Sequence, residues 1–191
     1  DLAAAKAPEK VFNWRFTSWA VPASYYGNIA YPDYCKKIEE LSGGRMTVEF
    51  IGAGALAGEL GAFDAVRSGV TELGAPWVGT YDTILKEAKV EYGLPFSARD
   101  SREMLTLYYE RGWEDLLREA YSELDPPLYY LAPDIWCPIW MMTSVPVTSV
   151  DDLKPLKIRA FGSAAKYLKK FGVSTAEVAW EELYTVVATG V

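Results

Sequence analysis

Hydrophobic and polar residues alternate along two early segments of the chain. Phe12, Trp14 and Phe16 are separated by polar residues in the segment 12–19, and the segment 46–51 repeats this alternation. Because successive side chains of a strand point to opposite faces of a sheet, both segments are predicted to be β-strands. The same criteria predict strands at 72–77, 128–132, 135–143 and 156–160, and an extended segment at 173–178.

A different spacing predicts the helices. Tyr34, Ile38 and Leu41 recur at intervals of four and three residues, which places them on one helical face. This helix is predicted to begin at 31–33 and to end before Gly43-Gly44. Further helices are predicted at 59–68, 101–111 (capped by Ser101), 113–123, 162–171 and 181–189, with a loop at 21–29 and a polar turn or short helix at 149–153. The order of strands and helices predicts an α/β fold with parallel strands.

The strongest break in these patterns is Asp125-Pro126-Pro127, a combination typical of a turn between larger units. Residues 11–125 are therefore predicted to form α/β domain I. Residues 126–191 are predicted to be the first part of α/β domain II, because they hold too few elements to close an independent domain. The small and polar residues of 1–10 are predicted to be a disordered N-terminal segment.

Composition removes several classes of function. The chain contains no histidine, which excludes Ser-His-Asp and Cys-His catalysis and His-ligated zinc. Its formal net charge of −7 argues against a nucleic-acid partner, which would require a basic face. Half of the residues are hydrophobic, so the chain can bury a core. Its two cysteines, Cys35 and Cys137, are predicted to be small buried hydrophobic residues rather than a disulfide or a metal site.

One arginine stands where α/β proteins bind ligands. Arg159 ends a predicted strand and precedes a predicted helix, and ligands of open α/β sheets bind beyond the carboxyl ends of the strands. A guanidinium at this place can hold a carboxylate by two parallel hydrogen bonds. The alternative is an ordinary surface salt bridge.

Aromatic residues also stand at or near predicted strand ends, and these are Trp19, Trp77, Tyr81 and Trp136. They can form the floor of an apolar ligand site, and core packing is the alternative for each. Glu59 follows a glycine-rich turn, where it either stabilises a helix N-terminus or points into a cleft. The adjacent acidic pairs of the chain do not face one bond, which counts against acid–base catalysis.

Four segments in order resemble the solute-binding subunits of tripartite ATP-independent periplasmic (TRAP) transporters, the DctP-type family. These segments are 41–56 (beginning LSGGR), 63–70 (FDAVRSGV), 151–159 (DDLKPLKIR) and 182–191 (ELYTVVATGV). The segments 93–96, 108–109 and 112–117 are most similar to the branch that binds 2-oxo acids and related monocarboxylates. Pro155 departs from this pattern, since the family usually has glycine there. The family also normally continues well past Val191.

The resemblance implies a two-domain periplasmic-binding-protein clamp of the type II-like class, with the ligand between the domains. In that clamp Arg159 would pair with the carboxylate of a small organic acid. Trp19, Trp77, Tyr81, Trp136 and Phe161 would line the rest of the site, together with Glu59. In the 2-oxo acid branch a glutamine that helps to hold a cation aligns with Trp136, so no metal site is expected here, and no cofactor.

The same resemblance implies a binding protein and not an enzyme. Such a protein is periplasmic after removal of a signal peptide, and it delivers its ligand to the membrane subunits of a TRAP permease. A homodimer is left open as an alternative to a monomer. A carboxylate-sensing domain and an enzymatic α/β domain are the alternative functions.

Overall fold

The computed structural model describes residues 10–56, 58, 60–77, 79, 81–91, 94–135, 139–179 and 182–189. Contacts within the chain group these residues into two compact units. The first ends at Trp77, and the second contains the described residues from Gly79 onward. The predicted crossing between domains at 125 lies inside the second unit and stays a prediction. Nearly all of the predicted N-terminal segment, 1–10, lies outside the described residues.

The first unit is built on a parallel sheet. Its described strands are β1 (Phe12–Ser18), β2 (Met46–Ile51) and β3 (Leu73–Ala75), in the order β2–β1–β3. Phe16 is in register with both Phe50 of β2 and Leu73 of β3. The central position of β1 explains why its second half is buried while its first residues are exposed. These strands confirm the three strands predicted at 12–19, 46–51 and 72–77.

Helices cover this sheet. They are a short π-helix (Tyr26–Ala30), α1 (Tyr31–Leu41) and α2 (Ala62–Arg67). Tyr31 of α1 packs on the sheet, with its ring 5.1 Å from that of Phe16 in β1 and 5.5 Å from that of Phe50 in β2. Cys35 lies one turn further along α1 and is buried in the same cluster, as predicted for this cysteine. The predicted face of Tyr34, Ile38 and Leu41 is not the buried one, since Tyr34 and Leu41 are exposed. The π-helix was not predicted, since the segment 21–29 reads as a loop.

The second unit contains short helices and a two-stranded parallel ladder in its described part. The helices are α3 (Ala88–Glu91), α4 (Ser101–Glu110), α5 (Trp113–Ser122), a 3₁₀ turn (Asp151–Leu153), α6 (Gly162–Lys170) and α7 (Leu183–Thr189). The strands are β4 (Lys157–Arg159) and β5 (Ser174–Ala176), with Ile158 in register with Thr175. The mixed α/β composition confirms the predicted fold class. Among the described residues, no helix is long and apolar enough to cross a membrane.

Three sequence predictions in this unit are wrong. The described parts of 128–132 and 135–143 contain no strand. Hydrogen bonding to a neighbouring strand, not side-chain alternation alone, is what makes a strand, and exposed apolar side chains such as Trp140 and Met142 remain along this segment. The cap of α4 is Asp100 and not Ser101, because the Asp100 carboxylate accepts a hydrogen bond from the Glu103 amide at 2.9 Å.

Candidate functional site

Two predicted ligand-contacting tryptophans meet in the first unit. Trp19 follows β1 and Trp77 follows β3, and their ring centroids are 5.4 Å apart at an interplanar angle of 71°. The two rings meet because β1 and β3 are parallel neighbours. Hydrogen bonding between the two segments extends one residue beyond β1, since the Trp19 amide donates to the Ala75 carbonyl at 3.0 Å. Tyr26 packs on the other side of Trp19 at 5.5 Å.

This aromatic cluster lies at the carboxyl end of the sheet, the edge at which open α/β sheets bind ligands. Both tryptophans are half-buried. Half-buried indole rings offer an apolar surface to a neighbouring molecule. The arrangement therefore suits contact with the body of a small organic ligand.

Arg159 is the last residue of β4 and is held in a defined orientation. Its Nε donates to the carbonyl oxygen of Val178 at 2.9 Å. Its guanidinium lies over the ring of Phe161, 4.6 Å from the centroid. A guanidinium has five N–H donors in a fixed plane, so the hydrogen bond to Val178 helps to set the direction of that plane. Such an oriented guanidinium is suited to bidentate binding of a carboxylate.

The chain next to Arg159 is closely packed. Phe161 is 4% exposed, and α6 begins at the next residue, Gly162. Gly162 has a φ of +50°, and a Cβ there would lie 3.0 Å from the Cα of Gly79. Only glycine fits both the left-handed backbone and this close approach. The β4–α6 junction that carries Arg159 is therefore built against the backbone at Gly79.

Tyr81 belongs to a buried polar cluster of the second unit. It is 3% exposed, and its hydroxyl lies 2.8 Å from the hydroxyl of Tyr121. The Tyr121 hydroxyl donates to the Glu91 carboxylate at 2.6 Å, and the Tyr81 hydroxyl lies 3.5 Å from the same oxygen. Tyr108 donates to the backbone carbonyl of Glu91 at 2.9 Å. Tyr81 thus has hydrogen-bond partners within its own unit, and its predicted contact with a ligand stays a prediction.

Burial dominates the protonation of this cluster. Desolvation raises the pKa of Glu91 to about 7, although the hydrogen bonds from Tyr121 and Tyr81 act in the opposite direction. Desolvation and the nearby Glu91 charge raise the pKa of Tyr81 and of Tyr121 well above the usual value. Glu91 is therefore the member of the cluster that titrates near neutral pH.

The structure brings the predicted site residues together as two pairs. Trp19 meets Trp77, and Arg159 meets Phe161. Two further predicted residues, Glu59 and Trp136, lie outside the described residues, as does Cys137. Sequence reasoning did not find Glu91 or Tyr121, because the contact between them joins residues 30 positions apart and neither stands in a recognisable motif. Within the described residues, no group of three or more acidic or cysteine side chains is arranged to hold a metal ion.

Comparison with known proteins identifies a curated relative of this chain. A curated relative from Nostoc sp., a monocarboxylate 2-oxoacid-binding periplasmic protein, is 24% identical over 182 residues, covering 93% of this chain and 48% of its own. The chain thus spans about half the length of this relative.

Solved structures show the same fold. A TRAP periplasmic solute-binding protein from Pseudoalteromonas atlantica, solved with sodium and pyruvate, matches with a TM-score of 0.76 and 24% identity, over 95% of this chain and 54% of its own. One from Bordetella bronchiseptica, with calcium and picolinate, matches with a TM-score of 0.77 and 19% identity, over 95% and 53%. The likeness at this identity concerns the fold.

The family is established by a match that covers most of the chain. Residues 18–191 match the sequence model of the bacterial extracellular solute-binding proteins of family 7, DctP. The matched region includes β1's end, both tryptophans and Arg159. The chain therefore belongs to family 7 of the bacterial extracellular solute-binding proteins, the DctP family.

Proposed function

We propose that this chain forms part of an extracytoplasmic solute-binding protein that captures a small organic carboxylate and delivers it to a TRAP permease. The observation that carries the proposal is the placement of Arg159 at the carboxyl end of β4. There Val178 and Phe161 hold the guanidinium in one orientation. Membership of the DctP family supports the class of function.

The chemistry of a guanidinium explains how selectivity would arise. A bound carboxylate supplies the counter-charge of Arg159 through two charge-assisted hydrogen bonds. A neutral molecule of the same shape would bring no charge to pair with the guanidinium and would lose the charge-assisted hydrogen bonds. The site would therefore reject neutral analogues more strongly than it distinguishes among acids.

The ligand class that we propose is a 2-oxo acid or a related monocarboxylate. The Nostoc relative is a 2-oxoacid-binding protein, and the Pseudoalteromonas protein was solved with pyruvate. Trp19 and Trp77 would contact the apolar body of the ligand, since they form an aromatic surface at a sheet edge suited to binding. Tyr81, Phe161, Glu59 and Trp136 remain proposed contacts of the same ligand.

We propose that no bond of the ligand is made or broken. The chain has no histidine, and its family consists of binding proteins. Periplasmic location follows from the same family and from the Nostoc relative. Release to the permease would follow a shift of population between ligand-bound and ligand-free conformations.

A cation accompanies the ligand in the Pseudoalteromonas and Bordetella structures. Within the described residues, no group of three or more acidic or cysteine side chains is arranged to hold such an ion. The carboxylate contact that we propose for the ligand is the one with Arg159.

Thermal unfolding with and without ligand tests the proposal. Pyruvate at about a hundred times its dissociation constant should stabilise the protein by roughly 3 kcal/mol. For a chain of this size that raises the Tm by roughly 5 to 10 °C. Hydroxyacetone, a neutral molecule of similar size, should leave the Tm unchanged.

Two variants separate a specific site from general charge effects. Arg159→Ala should reduce the rise in Tm on addition of a carboxylate to about a third or less. Lys157→Ala, an exposed cation on the same strand, should retain it. The proposal fails if a panel of 2-oxo acids and other small carboxylates produces no shift, or if Arg159→Ala responds as the unaltered protein does.

A further inference from the structure

The second unit contains a buried carboxyl group that the proposed function does not use. Glu91 ends α3 at a position where the residue as a whole is partly exposed but its carboxylate is desolvated. The Tyr121 hydroxyl donates to this carboxylate at 2.6 Å. Because the Tyr121 hydrogen is used in that bond, the hydroxyl of Tyr81 donates to Tyr121 at 2.8 Å. The result is a hydrogen-bond chain from Tyr81 through Tyr121 to Glu91.

The groups that face Glu91 come from each element packed against it. Tyr81 precedes α3, Tyr108 lies on α4 and Tyr121 lies on α5. Tyr130 follows α5, with its ring 5.2 Å from that of Tyr121. Burial raises the pKa of each of these tyrosines, so they remain neutral near pH 7. Glu91 is the group among them whose charge changes in that range, since burial raises its pKa to about 7.

The segment 81–91, which runs from Tyr81 to Glu91, is also attached to α6. Asp82 forms an ion pair with Lys166 of α6, and its carboxylate side chain is only 10% exposed. Two residues before Tyr81, Gly79 packs against Gly162, the first residue of α6. Phe161, which lies under the Arg159 guanidinium, directly precedes Gly162. Tyr81 is thus a member of the tyrosine–glutamate cluster and also lies two residues after Gly79, which contacts the β4–α6 junction.

We propose that Glu91, Tyr81 and Tyr121 form a proton-dependent positioning cluster that holds the segment 81–91 against α5. Asp82 and Gly79 thereby keep the contacts with α6 that fix the junction carrying Arg159. The predicted effect of Glu91 ionisation on ligand affinity rests on the proposed function. The predicted loosening of the segment 81–91 does not.

The physical cause is the cost of a buried charge. With Glu91 protonated, the carboxyl group is neutral and the cluster is stable in its desolvated position. When Glu91 ionises, a local opening that returns the carboxylate to water becomes less costly. Ionisation of Glu91 should therefore loosen the segment 81–91, and through Asp82 and Gly79 it should loosen the start of α6.

Hydrogen exchange of the ligand-free protein tests this inference directly. After correction for the intrinsic rate, protection of peptides from 81–91 and 162–170 should fall about tenfold between pH 6 and pH 8. Glu91→Gln keeps the side-chain shape without the charge, and it should abolish this pH dependence. Glu87→Gln changes an acid in the same segment outside the cluster, and it should keep the pH dependence.

A second variant covers the case in which Glu91→Gln disturbs folding. Tyr121→Phe removes the hydroxyl that stabilises the ionised carboxylate, so the pH at which protection is lost should move to a higher value. The inference is overturned if protection of the two peptides has the same pH profile in the unaltered protein, in Glu91→Gln and in Tyr121→Phe.

Affinity for pyruvate provides the functional measurement. The dissociation constant should rise several-fold from pH 6 to pH 8 in the unaltered protein and stay constant in Glu91→Gln. A pH-dependent exchange with a pH-independent affinity would overturn the positioning role. Absence of binding of pyruvate and of every other acid in the panel at any pH, with the exchange response intact, would instead contradict the proposed function and support the cluster as a conformational device.

Discussion

At the scale of single residues, Arg159 shows how local contacts prepare a charged side chain. The carbonyl of Val178 and the ring of Phe161 orient its guanidinium, so less conformational freedom remains to be lost on binding. Arg159→Lys should keep the charge but lose the two parallel hydrogen bonds, and the carboxylate affinity should fall about tenfold. Calorimetric titration with pyruvate measures this loss. Equal affinity of the lysine variant would show that the planar guanidinium is not required.

Cys35 is a residue-scale prediction of the opposite kind, an unreactive group. It is 5% exposed, and burial raises the pKa of its thiol to about 11. Since the thiolate is the nucleophile, iodoacetamide near pH 8 should modify Cys35 very slowly in the folded protein. Peptide mapping by mass spectrometry follows this residue separately from Cys137. Rapid labelling of Cys35 in the folded protein, comparable to that after unfolding, would contradict the burial of α1 against β1.

At the scale of elements, the start of α6 depends on a close approach between two glycines. Gly162→Ala should destabilise the protein, because its Cβ would lie 3.0 Å from the Gly79 Cα and because its φ is +50°. Gly172→Ala is the matched control, since its φ is +79° but nothing lies within 4 Å of its Cβ. The free energy of unfolding of the Gly172→Ala control should fall by about 1 kcal/mol, because only the left-handed backbone is strained. Urea unfolding measures both, and equal losses would mean that the contact with Gly79 does not constrain α6.

The same scale shows what the sequence could and could not predict. The strands β1 and β2 and the helix α1 were predictable, because each has the hydrophobic period of its element. The period did not identify the buried face of α1, where Tyr31 and Cys35 are buried while Tyr34 and Leu41 are exposed. The strands predicted at 128–132 and 135–143 were wrong in the described residues, because pairing depends on a neighbour that alternation does not reveal. Asp100 replaced Ser101 as the cap of α4, a shift of one residue within the normal uncertainty of helix ends.

For the site, the position of Arg159 at a strand end was predictable from a local pattern. The proximity of Trp19 and Trp77 was not, because it depends on β1 and β3 being parallel neighbours. The link between Glu91 and Tyr121 depends in the same way on tertiary packing. Residues that act alone at the end of an element can be inferred from sequence, whereas groups assembled from distant segments need the structure.

At the scale of the whole molecule, the free energy of unfolding should fall both in acid and as the pH rises through neutrality. The raised pKa of Glu91 means that the folded chain binds a proton more tightly than the unfolded chain. Its contribution is fully present below about pH 4.5 and is lost as the pH rises through about 7, a change of about 3 kcal/mol. Hydrogen bonds from Thr148 and Ser149 lower the pKa of Asp152, so its contribution is instead lost in acid. Stability should therefore be greatest at mildly acidic pH.

Urea unfolding at a series of pH values checks this profile. Glu91→Gln should flatten the decline between about pH 5 and pH 8 and leave the acid side unchanged. A decline of the same steepness in the variant would show that other groups cause it.

The most direct test of the central claim is calorimetric titration of the protein with 2-oxo acids and other small monocarboxylates. The account predicts saturable binding of at least one of these acids. Arg159→Ala should weaken that binding at least about thirtyfold, since loss of one partner from a desolvated charge pair costs 2 kcal/mol or more. Lys157→Ala should bind as the unaltered protein does. Binding by Arg159→Ala as tight as by the unaltered protein, or no binding of any carboxylate, would contradict the account.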